Sequence, residues 1–344
     1  MNNQSITVII PNYNSGGGLK KCIASIYNQL KKDDRIIIVD DASTDKSLSY
    51  IKEYLKKDNI ILIKHNTNKG VSVSRNDGLK IVKTKWVTFA DGDDTINNHY
   101  FDFVKKNLNE KTQCLCFGFY YIENTSNKIW TKNCIVDAGE EFYKKIICLE
   151  KSELIESCCN KIYSTKIIND NNITFNSKVK IMEDYEFNLE YFKYIDNILI
   201  FNKAFYNYIY NGDISASSKY KENLLDRFYE IKEIRNKFYK KSHYQNEVDT
   251  FNSSFLIICL NNLYKKGNDM KTKERRKKLK EIMNLDDFKR IRKNKNKIFL
   301  ERLVCFLSFT RNITITDINF KIIHFIKNNF QFARILFRNK NRGS

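Results

Sequence analysis

Three carboxylates, Asp91, Asp93 and Asp94, stand almost side by side directly after the apolar run 86–90 (WVTFA). Like charges this close repel unless water or a cation neutralises them. A hard divalent cation, taken by one or two carboxylates plus substrate phosphates, meets that need. An acidic turn capping the next helix meets it too, so the spacing leaves both readings open. The stretch 40–45 (DDASTD) is equally two-sided, because Asp and Ser are ordinary helix caps. A third acidic pair, Glu183-Asp184, opens a run of helical period.

The elements that must position these groups follow from the apolar pattern. Residues 6–10 (ITVII), 35–39 (RIIIV), 60–63 (IILI) and 86–90 read as short buried strands. Between them Leu19, Ile23, Ile26 and Leu30 recur at helical spacing, Leu48, Ile51 and Leu55 mark another helix, and 71–82 reads as a third despite Gly78. Strand–helix alternation of this kind predicts an α/β fold, a mostly parallel sheet with flanking helices. Ligands of such sheets bind at the carboxyl ends of the strands. Residues 11–14, 40–45 and 91–94 each follow a strand, so all three are expected to face one crevice. Further strands are expected at 114–122 and 204–210, and a helix from Glu183 to about Tyr194. From Lys219 onward the pattern is mainly helical.

Composition bounds the rest. A chain of 344 residues suggests about two domains. With 42% hydrophobic and 29% charged residues it is globular, and one proline among 11 glycines excludes collagen-like and proline-rich scaffolds. The nine cysteines form no CxxC pair or zinc-type pattern, so reduced cytosolic thiols are expected. No apolar run approaches the roughly 18 residues of a spanning helix, and the N-terminal residues lack a signal-peptide pattern. The expectation is a cytoplasmic protein. The net charge of +20 is uneven: residues 1–218 hold 29 Lys and Arg against 27 Asp and Glu, residues 219–344 hold 31 against 13. A basic surface suits polyanions, but a solvated lysine face needs no partner.

Taken in order, the pieces VIIPNYN (8–14), IIIVDDASTD (36–45), NKGVSVSRNDGL (68–79), FADGDD (89–94), CNKIYS (159–164) and MEDYEF (182–187) resemble the family 2 glycosyltransferases, inverting enzymes of the GT-A fold. The resemblance covers residues 5 to about 215. It departs at Ser74, where Ala is usual, and at Cys159, where an aromatic is common. It implies a GT-A catalytic domain over 1–218, followed by a helical, strongly basic region over 219–344. It implies that Pro11 and Tyr13 line a nucleotide-base pocket, that Asp41 hydrogen-bonds the base, favouring uridine, and that Asp40 supports that loop. Arg75 would lie near the nucleotide, paired with a carboxylate or with phosphate. Asp91 would contact the nucleotide-sugar, Asp93 would bind Mn²⁺ or Mg²⁺, and Asp94 would touch the sugar or support the loop. Asp184 would be the catalytic base, with Glu183 orienting it or the acceptor. Inverting transfer is an in-line displacement, in which a base takes the acceptor's proton and a metal stabilises the leaving diphosphate.

The implied activity is metal-dependent hexosyl or N-acetylhexosaminyl transfer from a nucleotide-diphosphate sugar, UDP for preference, to a glycan or lipid-linked glycan. The product class would be a bacterial surface glycan: capsule, lipopolysaccharide or teichoic acid. A nucleotidyltransferase would need a phosphate loop that VIIPNYN does not supply, and a degenerate polyanion-binding module would have broken acidic motifs. Gly16-Gly17-Gly18 lacks P-loop spacing and reads as a flexible loop, and the four histidines read as surface or packing residues. The tail interleaves Phe and Ile with Lys and Arg in 298–309 and 320–337. That pattern suits an anionic membrane surface, packing on the catalytic domain or a homo-oligomer, with nucleic acid the least favoured partner.

Overall fold

The first strands are runs of Ile and Val buried along their whole length, as expected where helices cover a parallel sheet. The computed structural model describes residues 4–123, 128–135, 139–210, 219–293 and 312–329. The chain divides into two compact units, Met1–Gly212 and Asp213–Ser344.

In unit 1, β1 (Ile6–Asn12), β2 (Arg35–Asp40), β3 (Ile60–Lys64) and β4 (Trp86–Phe89) pair in parallel in the order β3-β2-β1-β4. Helices α1 (Gly17–Tyr27), α2 (Ser47–Tyr50) and α3 (Val71–Lys80) lie between them in sequence. The helix expected around Leu48, Ile51 and Leu55 is broken into α2 and a 3₁₀ turn, Tyr54–Lys56. Registers Asn12↔Asp40 and Ile9↔Phe89 bring the carboxyl ends of β1, β2 and β4 together. Gly78 lets α3 lie close on β1: a Cβ there would lie 2.6 Å from Ile9 Cγ2, so a side chain at that position would push the two apart.

Beyond β4 the sheet turns mixed. Strands β5 (Thr95–Ile96), β6 (Cys114–Glu123), β7 (Lys128–Lys132), β8 (Lys161–Ser164) and β9 (Leu199–Tyr210) complete nine strands among the described residues, in the order β3-β2-β1-β4-β8-β6-β9-β5 with β7 on β6. β8 runs antiparallel to β4 and β6, while β6 and β9 are parallel with an irregularity at Gly118. Helices α4 (Tyr100–Asn107), α5 (Phe142–Lys151), α6 (Thr165–Asp170) and α7 (Glu183–Phe192) complete the unit. Phe175 stacks on Phe187 of α7, centroids 4.0 Å apart, and both meet Phe89 edge-on. This aromatic block joins β4 to α7.

One cysteine expectation is overturned. Cys134 and Cys148 form a disulfide, their Cα atoms 6.1 Å apart across 14 residues. The sequence spacing gave no sign of it, because the path after β7 brings Cys134 back to α5. Cys22, Cys114, Cys116, Cys158, Cys159 and Cys259 are free and buried. Cys305 lies outside the described residues.

Unit 2 is helical throughout its described residues: α8 (Leu224–Tyr239), α9 (Gln245–Asn262), α10 (Thr272–Asn284), α11 (Asp286–Lys293) and α12 (Ile313–Asn329). Its core includes Phe228, Ile231, Leu256, Leu260, Leu279, Ile282 and Phe288. Asp317 of α12 accepts hydrogen bonds from Arg275 Nε (2.8 Å), Arg276 Nε (3.1 Å) and Tyr264 Oη (3.1 Å), and Phe320 stacks on Tyr264. The opposite face of α12 exposes Ile315, Ile318 and Ile322. No helix among the described residues is long and apolar enough to cross a membrane. The stretch 298–309 and residues 330–337 of the second one lie outside the described residues.

Candidate functional site

The loops after β1 and β2 are braided by side-chain bonds, as their common position predicts. Asn12 Nδ2 donates to Asp40 Oδ1 (2.6 Å) and Ser43 Oγ (3.0 Å). Asn14 Oδ1 accepts from the backbone N–H of Thr44 and of Asp45, and the Gly16 N–H donates to Asp45 Oδ2 and Ser47 Oγ. The triple glycine is therefore no flexible loop. Gly16 is pinned, α1 starts at Gly17, and a Cβ on Gly18 would stand 3.1 Å from the Cα of Asp93. Pro11 is buried in β1, whereas Tyr13 is 53% exposed at the mouth of these loops.

Asp41 is only 3% exposed and its carboxylate accepts three bonds: from His65 Nδ1 (2.7 Å), Lys69 N–H (2.8 Å) and Gly70 N–H (2.7 Å). It thereby fixes the turn that leads into α3. The residue expected to read a base thus also holds the loop, and of about four lone-pair sites on a carboxylate one remains. Asp40, expected as loop support, occupies that place through Asn12 and the Ser43 N–H. His65 links Asp41 to Asp77 of α3 and is buried; reading it as an isolated packing residue overlooked both partners.

Arg75 gathers the remaining acids. It is buried on α3 among carboxylates. Nη1 meets Asp184 Oδ1 at 2.5 Å, Nη2 meets Asp91 Oδ1 at 3.0 Å, and Glu183 Oε1 lies 3.8 Å from Nη1. Its plane lies over the Phe175 ring at 5.2 Å. Asn76 beside it exchanges two hydrogen bonds of 2.8 Å with the Phe175 backbone, which ties α3 to the segment before α7. Asp184 Oδ2 accepts from the Cys158 N–H at 3.0 Å. Burial, with the neighbouring Asp184 charge, lifts the Glu183 carboxyl above the usual range, and Arg75 opposes that rise.

The three carboxylates after β4 have different surroundings. Asp94 is buried, accepting from Tyr206 Oη (2.6 Å) and the Ile209 N–H (2.7 Å). Burial and the Asp91 and Asp93 charges raise its carboxyl well above the ordinary range. Tyr206 Oη also accepts from the Asp91 N–H, so β9 braces the acidic loop; no local pattern reports this contact across 115 residues. Asp91 is part-exposed and turned to Arg75. Asp93 is exposed and pairs with no cation among the described residues, while desolvation and Asp91 push its carboxyl up. A cation would relieve that strain. No group of three acidic, His or Cys side chains among the described residues could hold a metal alone. The residues fit a cation shared between Asp93 and phosphate oxygens of a ligand, rather than one caged by protein.

The crevice therefore carries a pinned turn around Asp41, a free carboxylate at Asp93, and an oriented acid pair, Glu183 and Asp184, on a buried arginine. Residues 7–171 match the family model described as Glycosyl transferase family 2. The glycosyltransferase GlyA of Streptococcus pneumoniae is 30% identical over 233 residues, 64% of this chain and 33% of GlyA. The poly(ribitol-phosphate) beta-N-acetylglucosaminyltransferase TarP of Staphylococcus aureus is 29% identical over 251 residues, 71% of this chain and 75% of TarP. The chain thus spans about a third of GlyA but most of TarP. Among solved structures, S. aureus TarS 1-349 in complex with UDP-GlcNAc has a TM-score of 0.64 at 21% identity, covering 95% of this chain and 92% of that one, a likeness of fold. The match to glycosyl transferase family 2 thus falls on residues 7–171, which hold the loops of Asp41, Arg75 and Asp93.

Proposed function

We propose that this protein is a metal-dependent, inverting glycosyltransferase that moves a sugar from a UDP-sugar to an acceptor hydroxyl of a bacterial surface glycan. The observation that carries the reading is the grouping of Asp91, Glu183 and Asp184 about Arg75, in the crevice where Asp93 stays unpaired. The preference for UDP draws on the TarS complex with UDP-GlcNAc, and the acceptor class on the poly(ribitol-phosphate) substrate in TarP's name. A hexose or an N-acetylhexosamine is the sugar to test.

In this reading Tyr13 packs on the base and Asp41 accepts from its ring N–H. Asp93 would hold Mn²⁺ or Mg²⁺ with the diphosphate, and the metal would stabilise charge on the leaving group. Asp184, oriented by Arg75 and the Cys158 N–H, takes the acceptor proton as the hydroxyl attacks the anomeric carbon. Glu183 orients the acceptor. Unit 2, with its excess of cations and the exposed isoleucines of α12, would hold the enzyme at the inner face of an anionic membrane.

The test is a screen of UDP-, GDP-, dTDP- and CDP-sugars for hydrolysis, with calorimetry of the free diphosphates. UDP-sugar turnover and preferential UDP binding, weakened in Asp41→Ala, are expected. Equal affinity for every diphosphate would refute the uridine choice, and no turnover of any nucleotide-sugar would refute the enzyme.

A further inference from the structure

His65 stands directly after β3, almost wholly buried, with an acceptor at each ring nitrogen. Nδ1 lies 2.7 Å from Asp41 Oδ1 and Nε2 lies 3.0 Å from Asp77 Oδ2. Its own N–H donates to the Asp40 carbonyl at 2.9 Å, so its backbone is fixed beside β2 as well. Asp77 sits on α3 and also accepts from Lys80 Nζ (2.6 Å). Although partial burial pushes the Asp77 carboxyl up, the bonds from Lys80 and His65 hold it below the ordinary range, as an acceptor should be. One imidazole thus joins the end of β2 to the middle of α3, and does so on the oxygen of Asp41 that also accepts the Lys69 N–H.

This arrangement exceeds what packing requires. An apolar side chain would fill the space after β3 without bringing a polar ring between two buried or half-buried acids. What imidazole adds is direction, because it brings a second donor to Asp41 Oδ1 beside the Lys69 N–H while the Gly70 N–H holds Oδ2, and so sets the angle of the carboxylate about its Cβ–Cγ bond. We propose that His65 is a positioning residue for the donor nucleotide, aiming the Asp41 carboxylate so that its remaining lone pair faces the base. This rests on the reading of Asp41 as the base contact. Asp77 is the anchor that aims His65 in turn, and the same bonds hold the Lys69–Gly70 turn into the helix of Arg75.

Two amides separate the halves of the bridge. In His65→Asn the side-chain nitrogen falls near the position of Nδ1 and can still donate to Asp41. In His65→Gln it falls near Nε2, reaching Asp77 but leaving Asp41 to the two backbone N–H groups alone. With the full-length chain, UDP calorimetry, donor KM and kcat, and thermal unfolding should be measured for both variants and for His65→Ala. The expected result is that Gln and Ala weaken UDP binding about tenfold or more, the scale of one hydrogen bond to a charged group. Asn should stay within about threefold of wild type. Donor KM should follow the UDP affinity, with kcat at saturating donor changing far less, a split that a merely structural role would not produce. Wild-type UDP affinity in His65→Gln would overturn the inference, as would equal losses in Asn and Gln that track melting temperature. A wild-type protein that failed to bind UDP would overturn the donor reading itself, and this inference with it.

Discussion

Arg75→Met tests the centre of the site most directly. The substitution keeps the length of the side chain and removes the guanidinium, leaving Asp184, Glu183 and Asp91 facing one another. Their side chains are 13%, 18% and 38% exposed, so two of the three cannot recover their hydration. Removing one partner of a buried ion pair costs about 3–5 kcal/mol. The partial exposure of Asp91 and the remaining Cys158 N–H on Asp184 place this case near the lower end, at about 3 kcal/mol. Trp86 is buried in β4 of unit 1, so its fluorescence follows the unfolding of that unit in urea. With a slope of about 2 kcal/mol per molar, the midpoint should fall by about 1.5 M. The loss should also depend on pH. The Glu183 carboxyl already sits above its usual range, and losing Arg75, which opposes the rise, sends it further up. A carboxyl raised by folding costs nothing while protonated in both states, costs stability as pH climbs above its unfolded value, and has cost its full amount once pH passes its folded value. The variant should therefore lose more stability than wild type as pH rises above the ordinary carboxylate range. Arg75→Lys keeps the charge but cannot reach both acids with one ammonium, so it should recover part of the stability. UDP-sugar turnover should fall roughly 10²-fold in both, the scale for a misplaced catalytic group. An unchanged urea midpoint and rate in Arg75→Met would refute the role given to the cluster.

Asp184→Asn should lower kcat by about 10²–10⁴-fold with little change in UDP affinity; normal transfer to the true acceptor would dismiss Asp184 as base. Asp93→Ala should abolish transfer while preserving the melting temperature, and EDTA should mimic it reversibly; full activity in EDTA would remove the metal. Asp317→Ala should detach α12 from Arg275 and Arg276, costing about 3 kcal/mol at pH 7. Those two bonds hold the Asp317 carboxyl below its usual range against the effect of burial, so its contribution is present above about pH 4 and fades as pH falls; helicity lost equally at pH 3 and pH 7 would contradict this. Co-sedimentation with anionic but not neutral liposomes, weakening with salt, is expected if unit 2 meets a membrane. No binding, with a stable oligomer lost on deleting 219–344, would favour packing between copies.

The parts of the fold that were legible are those in which burial is written along the chain. β1, β2 and β4 are apolar at nearly every position because helices cover them, so runs such as ITVII and RIIIV announce a parallel sheet, and the sheet rule then points to the loops at Asp40, Asp41 and Asp91–Asp94. β6 and β9 are harder. They pair in parallel after an excursion of more than 70 residues, with a register irregularity at Gly118, and nothing local in either strand states its partner. The cysteine pair is a similar case, because 14 residues of separation fix neither the turn nor the meeting point.

The site divides along the same line. The identity of an acid is visible in the sequence, but its state is set by neighbours distant in the chain. Asp93 and Asp94 are adjacent and chemically identical, yet one is exposed and unpaired while the other is closed over by Tyr206 and the Ile209 N–H, 112 and 115 residues away. The division of work between them comes from the family resemblance, and the residues themselves carry no sign of the two surroundings. Arg75 spans 16 residues to Asp91 and 109 to Asp184, so the sequence around it states neither partner. His65 shows the reverse situation. Its partners are only 24 and 12 residues away, but a lone histidine after a strand matches no pattern, and only the parallel register of β2 and β3, with Asp40 opposite Lys64, puts the next residue beside Asp41. Register, more than residue type, assigns the chemistry in this crevice. A one-residue slip of β3 against β2 would keep every motif in the sequence and break the contact between His65 and Asp41.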